Sequence, residues 1–312
     1  MRRIPAVLAA LGLTAVALVG CSASVSTPAG CPRPTPSSLA AIDLVHVSGD
    51  PADFADVQVQ APLHTDQTEW QDVVTGDGTT ITAPNQLVVL DVTVYSGASG
   101  MRTVSTAYDG DLSRVFPLSQ WTGIFPGLGD ALHCAAEGSR VVVTLPPDGI
   151  DLSAAGNIGL QEGDSAVVVA DIRKVYLPEA DGADQFNDAH GLPTVVRAPD
   201  GRPGIIIPDA DAPTEPVVQV IKRGNGAVVG ADDSIHVQAT GVDWADRSVT
   251  TTTWDGEPEA LDMSSAPDGF AQALVGQTVG SQILLVMPAS GDRSGSATAY
   301  VFDILGIDGV LP

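Results

Sequence analysis

The segment "FAQALVGQTVGSQILLVMPASG", Phe270 to Gly291, combines two patterns of secondary structure. Its first part has the pattern of a short helix, and the apolar run that follows is typical of a strand. A closely similar string, "LGDALHCAAEGSRVVVTLPPDG", occurs earlier, from Leu128 to Gly149. The two align without a gap, with identical pairs at Ala131/Ala273, Leu132/Leu274, Gly138/Gly280, Ser139/Ser281, Pro146/Pro288 and Gly149/Gly291. A helix-turn-strand unit that occurs twice indicates one fold used twice.

The repeat fits the length of the chain, because 312 residues are enough for two domains of ordinary size. In each copy the periodicity predicts several strands and one short helix, over residues 127–136 in the first copy and 269–277 in the second. One helix against an antiparallel sheet is an α+β arrangement. We therefore predict a first domain over residues 43–177, an Asp/Pro/Gly-rich linker over 178–216 and a second domain over 217–312.

The composition is strongly acidic, with 14 Lys and Arg residues against 38 Asp and Glu residues and a formal net charge of −24. Phosphate binding depends on clustered Lys and Arg, so nucleic acid is excluded as an expected partner. An acidic surface of this kind is also what keeps many proteins soluble.

The first 20 residues have the pattern of a signal peptide, with Arg2 and Arg3 before an apolar run from Ile4 to Val19. The run ends in "LVGC", Leu18 to Cys21, which resembles a bacterial lipobox. That resemblance implies lipidation of Cys21, a tether over residues 21–42, and a protein held at the outer side of the cell membrane. The alternative is an ordinary signal peptide in which Cys21 has no role.

Two cysteines remain, Cys31 and Cys134, and an exported protein favours a disulfide between them. The alternative is two separate buried thiols. The two cysteines have no CxxC spacing, so no metal is predicted. No glycine-rich nucleotide loop follows a strand, so no cofactor is predicted either.

The second copy resembles the FKBP-type peptidyl-prolyl isomerases. The segment "WADRSVTTTTWDGEPEALDMSSAPDGFAQALVGQTVGSQILLVMP", residues 244–288, carries this likeness together with the closing "AYVFDI" strand. The resemblance covers residues 218–306 well and residues 70–176 more weakly. It implies two FKBP-like domains, each an antiparallel half-barrel sheet wrapped on one short helix. It also implies a monomer that isomerises prolyl segments of exported polypeptides.

The chemistry of that family needs neither nucleophile nor metal. A prolyl bond isomerises over a barrier of about 18–20 kcal/mol because twisting breaks amide resonance. A dry aromatic pocket favours the twisted amide over the planar one, and a backbone N–H holds the substrate carbonyl.

The resemblance implies a pocket in the second copy with Phe270 as its floor, Phe302 as one wall and Trp254 beside its mouth. Several family positions differ here: Ala239 stands where a strand tyrosine belongs, and Thr250 and Thr251 replace a Phe-Asp pair. Pro267 falls at the position of the backbone donor, and proline has no N–H.

The first copy keeps other parts of the pocket. Tyr95 is predicted at the strand-tyrosine position and Phe125 at the backbone-donor position, while Leu128 replaces the aromatic floor and Ala170 the wall. These substitutions leave two hypotheses open: a prolyl isomerase active in its second domain, or a non-catalytic binding or chaperone-like lipoprotein whose aromatics are core residues.

Overall fold

The structure, a computed structural model, describes residues 31–36, 38–186, 190–289 and 296–309. The predicted signal peptide and Cys21 lie outside the described residues. Within these ranges no helix is both long and apolar enough to cross a membrane.

The described residues form seventeen strands, paired in an antiparallel manner, and four short α-helices. The strands are β1 Val45–Ser48, β2 Asp56–Val59, β3 Glu69–Val74, β4 Leu87–Ser96, β5 Arg102–Ser105, β6 Phe116–Pro117, β7 Arg140–Leu145, β8 Ala166–Val175, β9 Ala183–Asp184, β10 Thr194–Arg197, β11 Pro203–Ile206, β12 Val217–Arg223, β13 Ser234–Asp243, β14 Val249–Thr252, β15 Glu259–Asp262, β16 Gln282–Met287 and β17 Thr298–Ile307. The helices are α1 Leu118–Ile124, α2 Leu128–Leu132, α3 Leu152–Ala155 and α4 Asp268–Leu274. The chain is therefore a sheet-rich α+β protein with few helices.

Two large sheets share one strand order. The first sheet runs β3-β7-β8-β4-β5, with β6 beside β4, and the second runs β12-β16-β17-β13-β14, with β15 beside β13 and β9 beside β12. The register irregularities also correspond: β4 and β8 shift between Val89 and Leu90, and β13 and β17 shift between His236 and Val237. The repeat seen in the sequence thus extends to strand pairing.

Helices pack on one face of each sheet, because alternate strand residues on that face are apolar. In the first sheet Val141 and Val143 form a core with Leu128 and Leu132 of α2. In the second sheet Ile283 and Leu285 form a core with Leu274 of α4.

Both predicted helices exist at the predicted positions, but their predicted lengths were wrong. The helix predicted over 127–136 is α2, Leu128–Leu132, and α1 directly precedes it; the helix predicted over 269–277 is Asp268–Leu274. In the first copy the single-helix prediction missed α1, which ends where Phe125 caps it by donating its N–H to Trp121 O at 2.9 Å.

A two-stranded hairpin covers the opposite face of each sheet. The hairpin β1–β2 packs on the first sheet beside Leu63, Val167 and Val169. The hairpin β10–β11 packs on the second sheet, where Ile207 lies with Leu284 and Val301. The segment predicted as a linker therefore contains a hairpin that covers one face of the second sheet.

The sheets meet through the end of β8 and the end of β17. Tyr176 and Leu305 share a small buried core there. The Tyr176 hydroxyl donates to Asp308 Oδ1 at 2.7 Å, and Lys174 Nζ donates to the Ile307 carbonyl at 2.5 Å. Because these contacts are buried or partly buried, they fix the two sheets against each other.

Candidate functional site

Three aromatic rings cluster beneath the start of α4. The Phe270 ring packs edge-to-face on two rings, with ring centroids 5.0 Å apart for Phe302 and 5.1 Å apart for Tyr300. The Tyr300 and Phe302 rings are stacked, with centroids 5.9 Å apart. Phe302 is buried and 2% exposed, whereas Phe270 and Tyr300 are half-buried. We call these three residues the aromatic cluster. In this cluster the rings of Phe270 and Tyr300 are partly accessible to solvent, and the Phe302 ring belongs to the core.

Local sequence places these rings. Tyr300 and Phe302 are two residues apart on β17, so their side chains point to the same face of the sheet. Phe270 lies in the first turn of α4, which Pro267 precedes as the N-cap residue. Gly269 allows the helix to lie close to β16, because a Cβ there would come within 2.4 Å of Met287 Sδ.

The glycine before the ring is a signal that both copies carry. In the first copy Gly127 precedes Leu128, and a Cβ on Gly127 would lie 2.4 Å from Leu145 Cδ2. The same close contact between helix start and strand therefore occurs twice. Leu128 is fully buried, so an aliphatic core residue occupies the place that Phe270 holds in the second copy.

Trp254 lies at a different site from the aromatic cluster. It lines a groove of about 490 Å³ together with Pro84, Pro178 and Pro258. Its indole N–H is buried and has no hydrogen-bond partner among the residues that the structure describes. The structure thus brings Phe270 and Phe302 together but places the third predicted pocket residue between the two sheets.

Phe125 does not have a free backbone donor, contrary to the role predicted for it. Its N–H is the helix-capping donor to Trp121 O, and its side chain is 2% exposed within the same core as Leu128. A backbone N–H that closes a helix turn is not available to a ligand.

Tyr95 lies on the opposite face of the first sheet from Phe125 and Leu128. It packs with Leu63 and Val142 beneath the β1–β2 hairpin. The sequence prediction aligned Tyr95 with Ala239. In the structure Ala239 pairs across the second sheet with Phe302. At the matching place in the first sheet, Val92 pairs with Ala170. Val92 is therefore the counterpart of Ala239, and an alignment wrong by three residues moved Tyr95 to the wrong face. The pocket predicted in the first copy is not assembled.

Tyr300 is the site residue that sequence reasoning missed. Its signal was its position two residues before Phe302 in the alternating "AYVFDI" strand. It pairs across the sheet with Gly241, and a Cβ on Gly241 would lie 2.8 Å from Tyr300 Cε1. Because Gly241 has no side chain, β13 leaves room for the tyrosine ring.

A buried carboxylate lies on the other face of each sheet's central strand. Asp171 pairs with Arg140, and the Tyr108 hydroxyl donates to Asp171 Oδ2 at 2.8 Å. At the matching place Asp303 accepts from the Gln282 amide at 2.6 Å and from Ala180 N at 2.9 Å. Burial raises the pKa of Asp303, although these hydrogen bonds act in the opposite direction.

Cys31 and Cys134 are both disulfide-bonded. Cys134 is buried, has a positive φ of 60° and follows α2 by two residues. Its backbone N–H donates to Ile81 O at 2.7 Å, which ties the end of the helix to the loop before β4.

Comparison with solved structures finds similarity to FKBP proteins. The three FKBP domains of wheat FKBP73 match with a TM-score of 0.34 and 12% identity, over 77% of this chain and 94% of that chain. FKBP12 from Mycobacterium tuberculosis matches with a TM-score of 0.26 and 22% identity, over 36% of this chain and 92% of that chain. FkpA from Escherichia coli matches with a TM-score of 0.28 and 19% identity, over 39% of this chain and 53% of that chain, about half of its length.

No protein-family model matches the sequence, and no curated protein matches it. The structural similarities are too distant to place the chain in a family.

Proposed function

We propose that this chain is an exported, lipid-anchored protein with two FKBP-like modules that binds prolyl segments of exported polypeptides, and that the second module isomerises them. The observation that carries the proposal is the aromatic cluster. A partly open surface made of Phe270 and Tyr300 over Phe302 is suited to a proline ring, because the burial of apolar area drives such contacts.

The sequence supports the same conclusion. Two of the three second-copy residues that the family resemblance assigned to the pocket, Phe270 and Phe302, are in contact. The first module serves as a scaffold or second docking surface in this proposal, since Tyr95 lies on a different face from Leu128.

A binding protein without turnover is the second candidate. It is favoured by Pro267, which cannot donate a backbone hydrogen bond, and by Ala239, Thr250 and Thr251, which replace polar and aromatic groups of the family pocket. Under this alternative the aromatic cluster holds a prolyl segment but does not lower the barrier to rotation.

A protease-coupled assay on a short Xaa-Pro peptide, with the full mature chain, tests turnover. We expect the wild type to exceed the buffer rate and Phe270→Ala to fall to it. Phe186→Ala is the matched control, because Phe186 is 94% exposed and outside the cluster.

Binding is measured separately by titrating the same peptide under conditions without protease. Binding without turnover supports the second candidate. Absence of both turnover and binding in the wild type would contradict the proposal.

Lipid attachment has its own test, since it rests on the "LVGC" motif alone. Wild-type protein expressed in a bacterial host should incorporate labelled fatty acid and fractionate with the membrane. Cys21→Ser should do neither, whereas equal labelling of both proteins would reject the lipid anchor.

A further inference from the structure

The aromatic cluster contains a hydroxyl group, that of Tyr300. The Tyr300 ring is in contact with Phe270 and Phe302, and its hydroxyl makes no hydrogen bond to the part of the chain that the structure describes. The ring is only half-buried. An unengaged donor thus lies at the edge of an apolar surface.

A prolyl segment on this surface would bring a peptide carbonyl out of water. A carbonyl that moves from water to an apolar surface needs a donor, because an unpaired polar group there is costly. The binding of proline to aromatic rings therefore also requires a hydrogen-bond donor close to those rings.

The start of α4 cannot supply this donor through its capping residue or through the ring-bearing residue. Pro267 has no N–H. The Phe270 N–H donates to Pro267 O at 2.8 Å, and the Ala271 N–H donates to the same oxygen at 3.1 Å. These backbone groups are thus either missing or already engaged.

The sheet holds Tyr300 in place for this role. Gly241 faces it across the β13–β17 pair, and the space left by the absent Cβ is filled by the tyrosine ring. Phe270 packs on the same ring from the helix side. A ring held between a strand and a helix presents its hydroxyl at a defined position.

We infer that the Tyr300 hydroxyl donates a hydrogen bond to the carbonyl oxygen of the residue before proline in the bound segment. This inference rests on the proposed function and names the group that orients the ligand. It makes Tyr300 a binding residue that replaces a backbone donor with a side chain.

The test is a thermodynamic cycle between one hydroxyl and one carbonyl. The dissociation constant of a short Xaa-Pro peptide is measured by titration with full-length wild type and with Tyr300→Phe. Both measurements are repeated with the analogue in which the Xaa carbonyl oxygen is replaced by sulfur, a weaker acceptor. The cycle isolates the interaction between the two groups.

We expect Tyr300→Phe to bind the amide peptide about five- to tenfold more weakly than wild type, as the loss of one hydrogen bond predicts. The sulfur analogue should bind the wild type more weakly by a similar factor and should cause little further loss in Tyr300→Phe. The unfolding temperature should stay unchanged, because phenylalanine keeps the ring contacts.

Two results would overturn the inference alone: unchanged amide binding by Tyr300→Phe, or a sulfur effect of equal size in both proteins. In either case loss of binding in Phe270→Ala would leave the proposed function standing. If wild type does not bind the amide peptide, the proposed function fails and this inference fails with it.

Discussion

Arg140 Nε lies 2.6 Å from Asp171 Oδ1, and both side chains are fully buried. Arg140 also donates through Nη2 to Asp171 Oδ2 at 2.8 Å and to the Asp53 carbonyl at 2.6 Å. The second sheet has Gln282 and Asp303 in the corresponding pair. One sheet therefore neutralises its buried carboxylate with a cation, and the other uses a neutral amide.

Replacement of Arg140 by glutamine should destabilise the protein strongly. Loss of the guanidinium leaves Asp171 with the Tyr108 hydroxyl as its remaining donor and removes the Arg140 donor from the Asp53 carbonyl. A buried charge that loses its ionic partner costs about 3–5 kcal/mol. Urea denaturation of wild type and Arg140→Gln measures the difference in the free energy of unfolding.

The control for this variant is Arg114→Gln, since the Arg114–Asp109 pair is exposed. It should change the free energy of unfolding far less than Arg140→Gln does, because exposed ion pairs are screened by water. Equal effects of the two substitutions would show that burial of Asp171 does not make its pairing essential.

Replacement of Phe302 by alanine should lower the free energy of unfolding more than the same replacement of an exposed phenylalanine. Its ring is 2% exposed in the core of the second sheet, so Phe302→Ala should cost about 3–5 kcal/mol. The exposed Phe186→Ala should stay within about 0.5 kcal/mol of wild type. A Phe302→Ala protein as stable as wild type would mean that the ring is not a core element.

Acid should weaken the contact between the two sheets through Asp308. Partial burial raises the pKa of this carboxyl, but hydrogen bonds outweigh burial and lower the pKa to about 2. The donors are His236, Tyr176 and Ser234. Since the folded pKa is below the value of about 3.9 for an unfolded chain, the stabilisation is present above pH 4 and lost as the pH falls from about 4 to 2.

Asp308→Asn should therefore be less stable than wild type at pH 7, by about 1–2 kcal/mol after allowance for partial exposure. The difference should shrink as the pH approaches 2. Denaturation curves at several pH values measure it, with the exposed Asp232→Asn as control. A difference that is constant with pH would contradict the assigned role.

The pairing of Cys31 with Cys134 stays a prediction that thiol titration can check. The protein, unfolded without reductant, should show no free thiol from these two residues. After reduction it should show both. Two reactive thiols before reduction would mean that the disulfide does not form.

Part of the site could be predicted from the sequence. The repeated helix-turn-strand unit predicted the positions of α2 and α4. The resemblance to the FKBP-type isomerases predicted that Phe270 and Phe302 share a pocket, and the two rings are in contact. Tyr95 could not be placed correctly, since one strand aligned three residues out of register sends its side chain to the opposite face.

The use of one α+β unit twice can be inferred from the sequence, because the alternation of apolar residues and the position of glycines are local properties that each copy carries. The contacts among the aromatic rings depend on the tertiary structure. Tyr300 joins Phe270 and Phe302 because β13 has Gly241 opposite it, and Trp254 is directed to the groove between the sheets. Those contacts depend on residues far apart in the chain, and their positions are set by strand register and helix packing rather than by local pattern.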